Sequence, residues 1–504
     1  MANQIKNGAV ISYVTIILSF CLGLIYTPWM IRQIGISDYG LYGLSAAFLS
    51  YFILDFGLGE AIARYVSLAV VKKDIEQINK ILSTAMCIYL IIDVIIICLL
   101  FVCYFFLENI FDSLTPIEIE RFKVVFCITS LFSVMSFPLM PMNGIMIANE
   151  RFIVLKSCDL FNKLIMTVLT VICLLLGYGL YALVIVHALV GFLIALYKGI
   201  YVKKNLKYSF RFDNYCTTIA KSLFKFSIWI FIIGIAQRLS VNICPTILGM
   251  KANTTEISIF SVAMMLEGYV WTFANALNGL FMPRVASLSL NDGNRSHVTD
   301  LMIKVGRLQL FLVGLVISGI VIFGKQFLVL WMGDDFSKTY FVLLMMIITG
   351  LIGLTQSIAN TLLYVENEVR YRSMFFMASS IVSFIISWIL CGSIGAIGCG
   401  IGILVSNIFC LLCMNIVYYR ILHLDIPRFF KECHLKMLVP LVLLTVSGLY
   451  VFDMINDFSW GILFLSGLCY VLLYVIVLWF VFFDITEKEL ILNMIQAFKI
   501  RLLR

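Results

Sequence analysis

Charged residues are scarce in this sequence, and their scarcity excludes most classes of soluble protein. Asp, Glu, Lys and Arg make up 13% of the 504 residues, whereas hydrophobic residues make up 62%. Soluble domains contain about 25% charged and roughly 45–50% apolar residues. The sequence also lacks a polar stretch long enough to form a soluble domain. The composition therefore indicates a polytopic membrane protein.

Patterns typical of nucleic-acid-binding proteins and of enzymes are also missing. The net charge is +8, but Lys and Arg fall in short clusters between apolar runs instead of forming a continuous basic face. The 15 cysteines lack metal-ligand spacing, and no H-E-x-x-H or G-x-S-x-G pattern occurs. We therefore expect no nucleic-acid partner, no metal, no cofactor and no enzyme activity.

Fourteen apolar runs are long enough to be transmembrane helices, which need about 20 mostly apolar residues. They lie near residues 10–31, 41–63, 84–107, 124–147, 153–176, 180–201, 226–249, 257–281, 305–332, 340–364, 374–391, 396–418, 437–453 and 460–483. With the N-terminus in the cytoplasm, 29 of the 36 Lys and Arg lie at inside positions, six lie outside, and Arg238 lies within a span. This bias predicts that both termini are cytoplasmic.

An internal duplication is visible when the sequence is shifted by about 218 positions. Residues 38–42 then fall on 256–260, and Gly177 falls on Gly395. Six spans per half keep both halves in one orientation, and transporters built this way bind substrate between the halves and rock them. The predicted fold is all-α, with a six-helix lobe at 1–205 and a pseudo-symmetric six-helix lobe at 206–423. Two additional transmembrane helices at 424–484 and an amphipathic cytoplasmic tail at 485–504 complete the predicted organisation.

Two stretches resemble a known family. Residues 27–35 read TPWMIRQIG and are followed by DYGLY at 38–42, and residues 54–65 read LDFGLGEAIARY. Both are similar to Wzx-type polysaccharide (O-antigen or repeat-unit) flippases of the multidrug/oligosaccharidyl-lipid/polysaccharide exporter superfamily. The resemblance implies a V-shaped pair of lobes with a central cavity. It also implies transport of undecaprenyl-diphosphate-linked glycan repeat units from the cytoplasmic to the periplasmic leaflet of a bacterial inner membrane. Further expected partners are membrane lipids and the polymerase and chain-length components of the same pathway.

Ionisable residues inside spans are candidate transport residues, because their insertion costs at least about 2.5–3.5 kcal/mol at mid-helix. Arg238 is the first candidate, since a guanidinium binds phosphate oxygens bidentately and keeps its charge. We predict that it binds the diphosphate or an acidic sugar; the alternative is an ion pair with Glu267 on the next helix. Arg64 and Arg284 match at the cytoplasmic ends of spans two and eight. They are predicted to receive phosphate at the entrance, or else to be ordinary positive-inside anchors. His187 is another ionisable group within a span.

Carboxylates inside the spans are candidates for lining the cavity or binding a coupling ion, H⁺ or Na⁺. They are Asp55 and Glu60 in span two, Asp93 in span three and Glu267 in span eight. Glu60 lies four residues before Arg64, so an ion pair between the two is the alternative for Glu60. Asp55 has no local partner in the sequence. The alternative for Asp93 is an interhelical hydrogen bond.

Competing functions remain open at this stage. A multidrug cation antiporter of the same superfamily would share the two lobes but would need carboxylates without a cationic cavity. A peptidoglycan-precursor lipid flippase would carry the same lipid diphosphate. A membrane polymerase or ligase would need a sizeable periplasmic loop with catalytic residues, whereas the longest predicted outside loop covers only about residues 108–123. The two family-like stretches favour the Wzx-type flippase.

Overall fold

The chain is helical throughout the part that the computed structural model describes. The described residues are 2–53, 55–206, 208, 210–211, 214–275, 285, 295–366, 368–455 and 459–481. They contain no β-strand. Arg284 and the predicted amphipathic tail at 485–504 lie outside these residues, so both predictions stand as made.

Twenty α-helices are described, and they are numbered here in chain order. In the first half they are α1 (Ala2–Ile34), α2 (Ile36–Leu49), α3 (Leu58–Val71), α4 (Ile75–Ile110), α5 (Pro116–Ser136), α6 (Pro141–Ala148), α7 (Phe152–Leu175) and α8 (Leu180–Tyr201). Next come α9 (Thr217–Gln237), α10 (Ile243–Lys251), α11 (Thr254–Asn275), α12 (Arg295–Met332), α13 (Ser337–Ile347), α14 (Gly350–Gly353) and α15 (Ser357–Val365). The last are α16 (Val369–Ile394), α17 (Ala396–Arg420), α18 (Ile426–Phe429), α19 (Lys436–Asp453) and α20 (Trp460–Val481).

Among the described residues, 12 helical segments are long and apolar enough to cross a membrane. They correspond to twelve of the fourteen predicted runs and confirm an all-α polytopic membrane protein. The predicted run at 41–63 is not one continuous helix, because α2 ends at Leu49 and α3 begins at Leu58. The run at 257–281 is described only as far as the end of α11. The predicted span at 41–63 is therefore interrupted in the structure.

Residues 1–261 and 376–402 form one compact unit, called unit 1. Within it α1 packs on α7, α3 on α6, and α5 on α8. Pro138 and Pro141 interrupt the helix of the fourth predicted run: α5 ends at Ser136, a 3₁₀ turn covers Phe137–Leu139, and α6 begins at Pro141.

Unit 1 also contains a contact between two segments that the duplication relates. The hydroxyl of Ser258 in α11 donates to the carbonyl oxygen of Ile36 in α2 at 2.6 Å. Reciprocally, a Cβ on Gly40 would overlap the carbonyl oxygen of Thr254. The shift of 218 pairs Ile36 with Thr254 and Gly40 with Ser258, so the duplicated positions approach each other in both directions, with a hydrogen bond only from Ser258. The small residues allow the two helices to approach this closely.

Residues 262–375 and 403–504 form a second compact unit, called unit 2. Its long helix α12 packs against α19 and α20. Glycine makes this packing possible at position 314, where a Cβ would lie 2.8 Å from the Tyr474 hydroxyl. That hydroxyl donates to the carbonyl oxygen of Phe311 at 2.8 Å. The two additional helices predicted at 424–484 thus have a specific docking surface on α12.

Candidate functional site

The break between α2 and α3, residues 50–57, lies within the first helices of unit 1. Phe56 has a φ of 52° and Gly57 a φ of 69°, so the chain turns through the left-handed region there. A Cβ on Gly57 would lie 2.9 Å from Cβ of Ile230 in α9, so a larger residue would not fit. A helix in hydrocarbon can be broken only where other groups satisfy the freed backbone atoms. The backbone groups freed at this break therefore need hydrogen-bond partners from neighbouring helices.

Arg238 is a hydrogen-bond partner of two carbonyl oxygens in the break. It begins the π-helical turn Arg238–Asn242, which joins α9 to α10. Its Nε donates to the carbonyl oxygen of Ser50 at 2.6 Å, and its Nη2 lies 3.5 Å from that of Ile53. Its Nη1 donates to the carbonyl oxygen of Gly234 at 3.2 Å. The cation is well placed here, because the C-terminal end of a helix is electronegative.

Two further side chains attach the break to the same turn. The Tyr51 hydroxyl donates to the carbonyl oxygen of Asn242 at 2.6 Å, and the Asn242 amide nitrogen donates to the Ser50 hydroxyl at 3.1 Å. On the α3 side, the Ser227 hydroxyl donates to the carbonyl oxygen of Gly57 at 3.1 Å. Two interrupted helices thus hold each other in place.

The predicted partner of Arg238 was either the substrate or Glu267. The Glu267 carboxylate accepts a hydrogen bond from the indole nitrogen of Trp271, one turn further along α11, at 3.0 Å. A guanidinium has five N–H donors, and Arg238 uses three of them on carbonyl oxygens. Two N–H donors therefore remain for another acceptor. The side chain is half-buried.

Asp55 closes the other end of the break and has partners that the sequence did not reveal. One oxygen accepts the hydroxyl hydrogen of Tyr89 from α4, and the other accepts the backbone N–H of Gly59 at 3.0 Å. Asp55 therefore caps the N-terminus of α3, where a negative charge is stabilised. The expectation that it has no local partner is wrong.

Glu60 and Arg64 both lie exposed on α3, and the structure shows no ion pair between these two described side chains. The guanidinium carbon of Arg64 instead lies 4.7 Å from the ring centroid of Phe226 in α9, a cation–π contact. The pair expected from their spacing is therefore wrong.

Asp93 lies one helical turn beyond Tyr89 on the same face of α4. Only 7% of its surface is exposed, and its Oδ1 atom has no hydrogen-bond partner among the described residues. The interhelical hydrogen bond considered as the alternative is therefore not formed at this oxygen. Burying a carboxyl group without a partner is costly, and such groups inside spans mark candidate ion sites.

Comparison with known proteins shows the family of the chain. Residues 5–289 match the family described as "Polysaccharide biosynthesis protein". The chain belongs to the polysaccharide biosynthesis protein family. The matched range includes the α2–α3 break and Arg238, so the site described above lies within the family region.

Individual relatives agree with this family assignment. The uncharacterized membrane protein EpsK of Bacillus subtilis (strain 168) is 22% identical over 332 residues, and the match spans 64% of this chain and 64% of EpsK. Among solved structures, the lipid II flippase MurJ in an inward closed conformation has a TM-score of 0.66 at 17% identity, covering 93% of this chain and 99% of MurJ. An inward-facing multidrug resistance MATE family transporter of the MOP superfamily also has a TM-score of 0.66, at 12% identity, covering 80% and 96%.

The structural likenesses show that the chain shares the fold of these solved structures, and the family match confirms the predicted resemblance to polysaccharide-biosynthesis membrane proteins. In this polysaccharide biosynthesis family member, the described residues contain no group of three or more His, Cys, Asp or Glu that could hold a metal ion.

One charged residue within a span was missed by the sequence reasoning. Lys163 was counted among the residues at the inside ends of spans, but α7 begins at Phe152 and carries Lys163 to its middle. Arg238 was recognised because it lies many residues inside its apolar run. Counting residues from the start of α7 would have placed Lys163 at a comparable depth.

Proposed function

We propose that this protein is a flippase that moves undecaprenyl-diphosphate-linked oligosaccharide repeat units from the cytoplasmic to the periplasmic leaflet by alternating access. The observation that carries the proposal is the match to a polysaccharide biosynthesis family on a transporter fold. A diphosphate cannot cross hydrocarbon without a polar surrounding, because burying an isolated charge is prohibitively costly.

The role proposed for Arg238 is to contact the diphosphate or an acidic sugar with its two remaining N–H donors. Its other three donors fix the guanidinium to two carbonyl oxygens of the helix break and to that of Gly234 in α9. An anchored guanidinium loses little conformational freedom when it binds an anion, and binding is then stronger. Arg64 and Arg284 are proposed to receive phosphate at the entrance.

The cellular setting is part of the same proposal. The multi-pass protein would lie in a bacterial inner membrane with both termini in the cytoplasm, and would act with polymerase and chain-length components. Coupling to H⁺ or Na⁺ would use a buried carboxylate, and Asp93 is the best supported because it is buried and its Oδ1 has no partner. We propose no enzyme activity.

A peptidoglycan-precursor lipid flippase is the second candidate, and the structural likeness to the lipid II flippase favours it. It would carry the same diphosphate on the same lipid with a different glycan. A multidrug cation antiporter fits less well, because Arg238 and Lys163 place positive charge within spans of unit 1.

The test is deletion of the gene in its host, followed by measurement of undecaprenyl-linked oligosaccharide in each leaflet and of surface polymer. Repeat units trapped on the cytoplasmic leaflet, with polymer lost, are the expected result. Trapped peptidoglycan precursor would favour the second candidate, and unchanged lipid intermediates and polymer would contradict both flippases.

Complementation of the deletion tests Arg238. Arg238→Ala should reduce polymer at least about tenfold, the loss expected for a charge-assisted hydrogen bond. Arg32→Ala is the matched control, because Arg32 is exposed at the end of α1 and should restore polymer fully. Membrane protein levels must be measured for both variants, since Arg238 also stabilises the break. Full restoration by Arg238→Ala would remove Arg238 from the proposed binding site.

A further inference from the structure

A groove of about 640 Å³ lies in unit 2 where α17 ends. This volume falls within the range of about 300–1,000 Å³ that is typical of ligand pockets. One wall is the last part of α17, from which Leu412, Ile416 and Tyr419 project on one face of the helix. They are 62%, 57% and 57% exposed and belong to a helix apolar enough to cross a membrane. This wall of the groove therefore faces hydrocarbon.

The second wall is the segment that follows α17. His423 has a φ of 52°, and the Leu424 N–H donates to the carbonyl oxygen of Tyr418 at 3.0 Å, so the chain turns sharply after the helix. Asp425 then caps α18 by accepting the backbone N–H of Arg428 at 3.0 Å. The groove is lined on this side by Ile426, Pro427 and Phe430.

Aromatic packing fixes the second wall in place. The ring centroid of Phe430 lies 5.6 Å from that of Phe429 and 5.0 Å from that of His434. Phe429 is fully buried, and a ring nitrogen of His434 lies 3.2 Å from the Thr355 hydroxyl. The groove is therefore a shape set by the fold, unlike a gap between mobile surface side chains.

A cation without a partner lies at the end of the groove. Arg420 lines it from the last turn of α17 and is exposed. Among the described residues, neither its guanidinium nor the adjacent Tyr419 hydroxyl has a hydrogen-bond or ion-pair partner. A cation in the last turn of a helix is favoured by the helix dipole alone. Arg32 has the same place in the last turn of α1, so it is a matched control for that effect.

We infer that this groove binds an anionic phospholipid of the surrounding bilayer, with an acyl chain between its walls and the headgroup phosphate on Arg420. The inference goes beyond the proposed function and does not depend on the cargo. An acyl chain suits the apolar walls, and a guanidinium binds phosphate oxygens through charge-assisted hydrogen bonds. Arg420 is among the residues predicted on the cytoplasmic side, where basic pockets between transmembrane helices bind anionic headgroups.

The predicted amphipathic tail at 485–504 is a less suitable occupant of the groove. It contains four Lys and Arg but only two acidic residues, so its net charge has the same sign as Arg420. Like charges repel, whereas a lipid phosphate attracts the guanidinium. An anionic phospholipid therefore complements both the apolar walls and the charged end.

The experiment measures lipid binding to the full chain by native mass spectrometry after delipidation in a non-ionic detergent. The probes are phosphatidylglycerol, which is anionic, and phosphatidylcholine, which has the same phosphate but a compensating positive charge. The parent protein should bind phosphatidylglycerol at least about tenfold more tightly than phosphatidylcholine. Arg420→Gln should weaken phosphatidylglycerol binding at least about tenfold. Arg32→Gln removes the same charge from an exposed position and should bind as the parent does.

A second variant tests the apolar part of the groove. Ile416→Trp fills the space between the walls, and it leaves the core intact because Ile416 is 57% exposed. It should weaken phosphatidylglycerol binding at least about tenfold. Ile408→Trp is the matched control, since Ile408 is 45% exposed on the same helix and does not line the groove.

Both groove variants must fail for the inference to stand. Weaker phosphatidylglycerol binding by Arg420→Gln and by Ile416→Trp, with both controls unchanged, supports the site. Equal binding of the two lipids by the parent protein would overturn it and indicate unselective bilayer lipid. Unchanged binding by either groove variant would also overturn it, and would indicate that the tail or another occupant fills the groove.

Discussion

Several charged side chains lie within the helical region of unit 1, whereas unit 2 contains pairs of neutral side chains that join its helices. In unit 1 Asp93 is buried, and Lys163, Arg238 and Asp55 are half-buried. The neutral pairs of unit 2 are Gln309 with Ser357 at 3.0 Å, Gln356 with Asn415 at 2.7 Å, and Asn360 with Tyr418 at 2.9 Å. Glu267 and Arg307 are ionisable residues in unit 2, and each has interaction partners.

The difference indicates which groups serve structure and which serve transport. A neutral pair satisfies both of its members and joins two helices, so it needs no explanation beyond stability. An ionisable group with an unused donor or acceptor destabilises the fold, and such groups are retained where function needs them. Unit 1 therefore holds the stronger candidates for contacts with the transported molecule.

Introducing a charge into a neutral pair of unit 2 should have the largest effect on stability. Gln309 is 1% exposed, and Gln309→Glu should lower the free energy of unfolding by about 2.5–3.5 kcal/mol, the insertion cost of a central carboxylate. Thermal unfolding in detergent at pH 8 would measure it. Ser357→Ala is the matched control and should cost only about 0.6 kcal/mol. A Gln309→Glu protein as stable as its parent would contradict the view that the neutral pairs of unit 2 serve stability.

Removing the carboxylate of Asp55 should have an intermediate effect. Asp55→Ala leaves the Tyr89 hydroxyl and the Gly59 N–H without their acceptor, and should cost about 1–3 kcal/mol. Asp55→Asn keeps an oxygen that accepts one of these bonds and should cost less. Hydrogen exchange at the start of α3 would show whether the break itself loosens. Equal protection in the parent and in Asp55→Ala would mean that Asp55 does not hold the break.

The membrane class and the positions of most spans could be predicted, because hydrophobic length is a property of the sequence alone. The break at 50–57 could not, because residues 50–53 are as easily helical as their neighbours. Their hydrogen-bond partner Arg238 is 188 residues away from Ser50. Tertiary contact, not local propensity, ends α2.

The candidate residues were found by the cost of burying charge, but their contacts were not. Spacing on α3 offered an ion pair between Glu60 and Arg64 as an alternative, whereas Arg64 contacts the ring of Phe226 instead. Asp55 gained the Tyr89 hydroxyl as a partner, which only the packing of α4 on α3 supplies. Spacing along one helix limits which pairs are possible, and neighbouring helices decide which of them form.

Neutralising Asp93 should have the smallest effect on stability and so gives the sharpest contrast with Asp55. The buried Oδ1 atom of Asp93 has no hydrogen bond to lose, and Asn has nearly the same shape. Asp93→Asn should therefore change the free energy of unfolding by less than about 0.5 kcal/mol. If Asp93 carries the coupling proton, the same variant should abolish the dependence of lipid transport on a proton gradient in proteoliposomes, because an amide cannot exchange that proton. A destabilised variant would show that Asp93 is structural like Asp55, and a stable variant whose transport still follows the gradient would place the coupling site elsewhere.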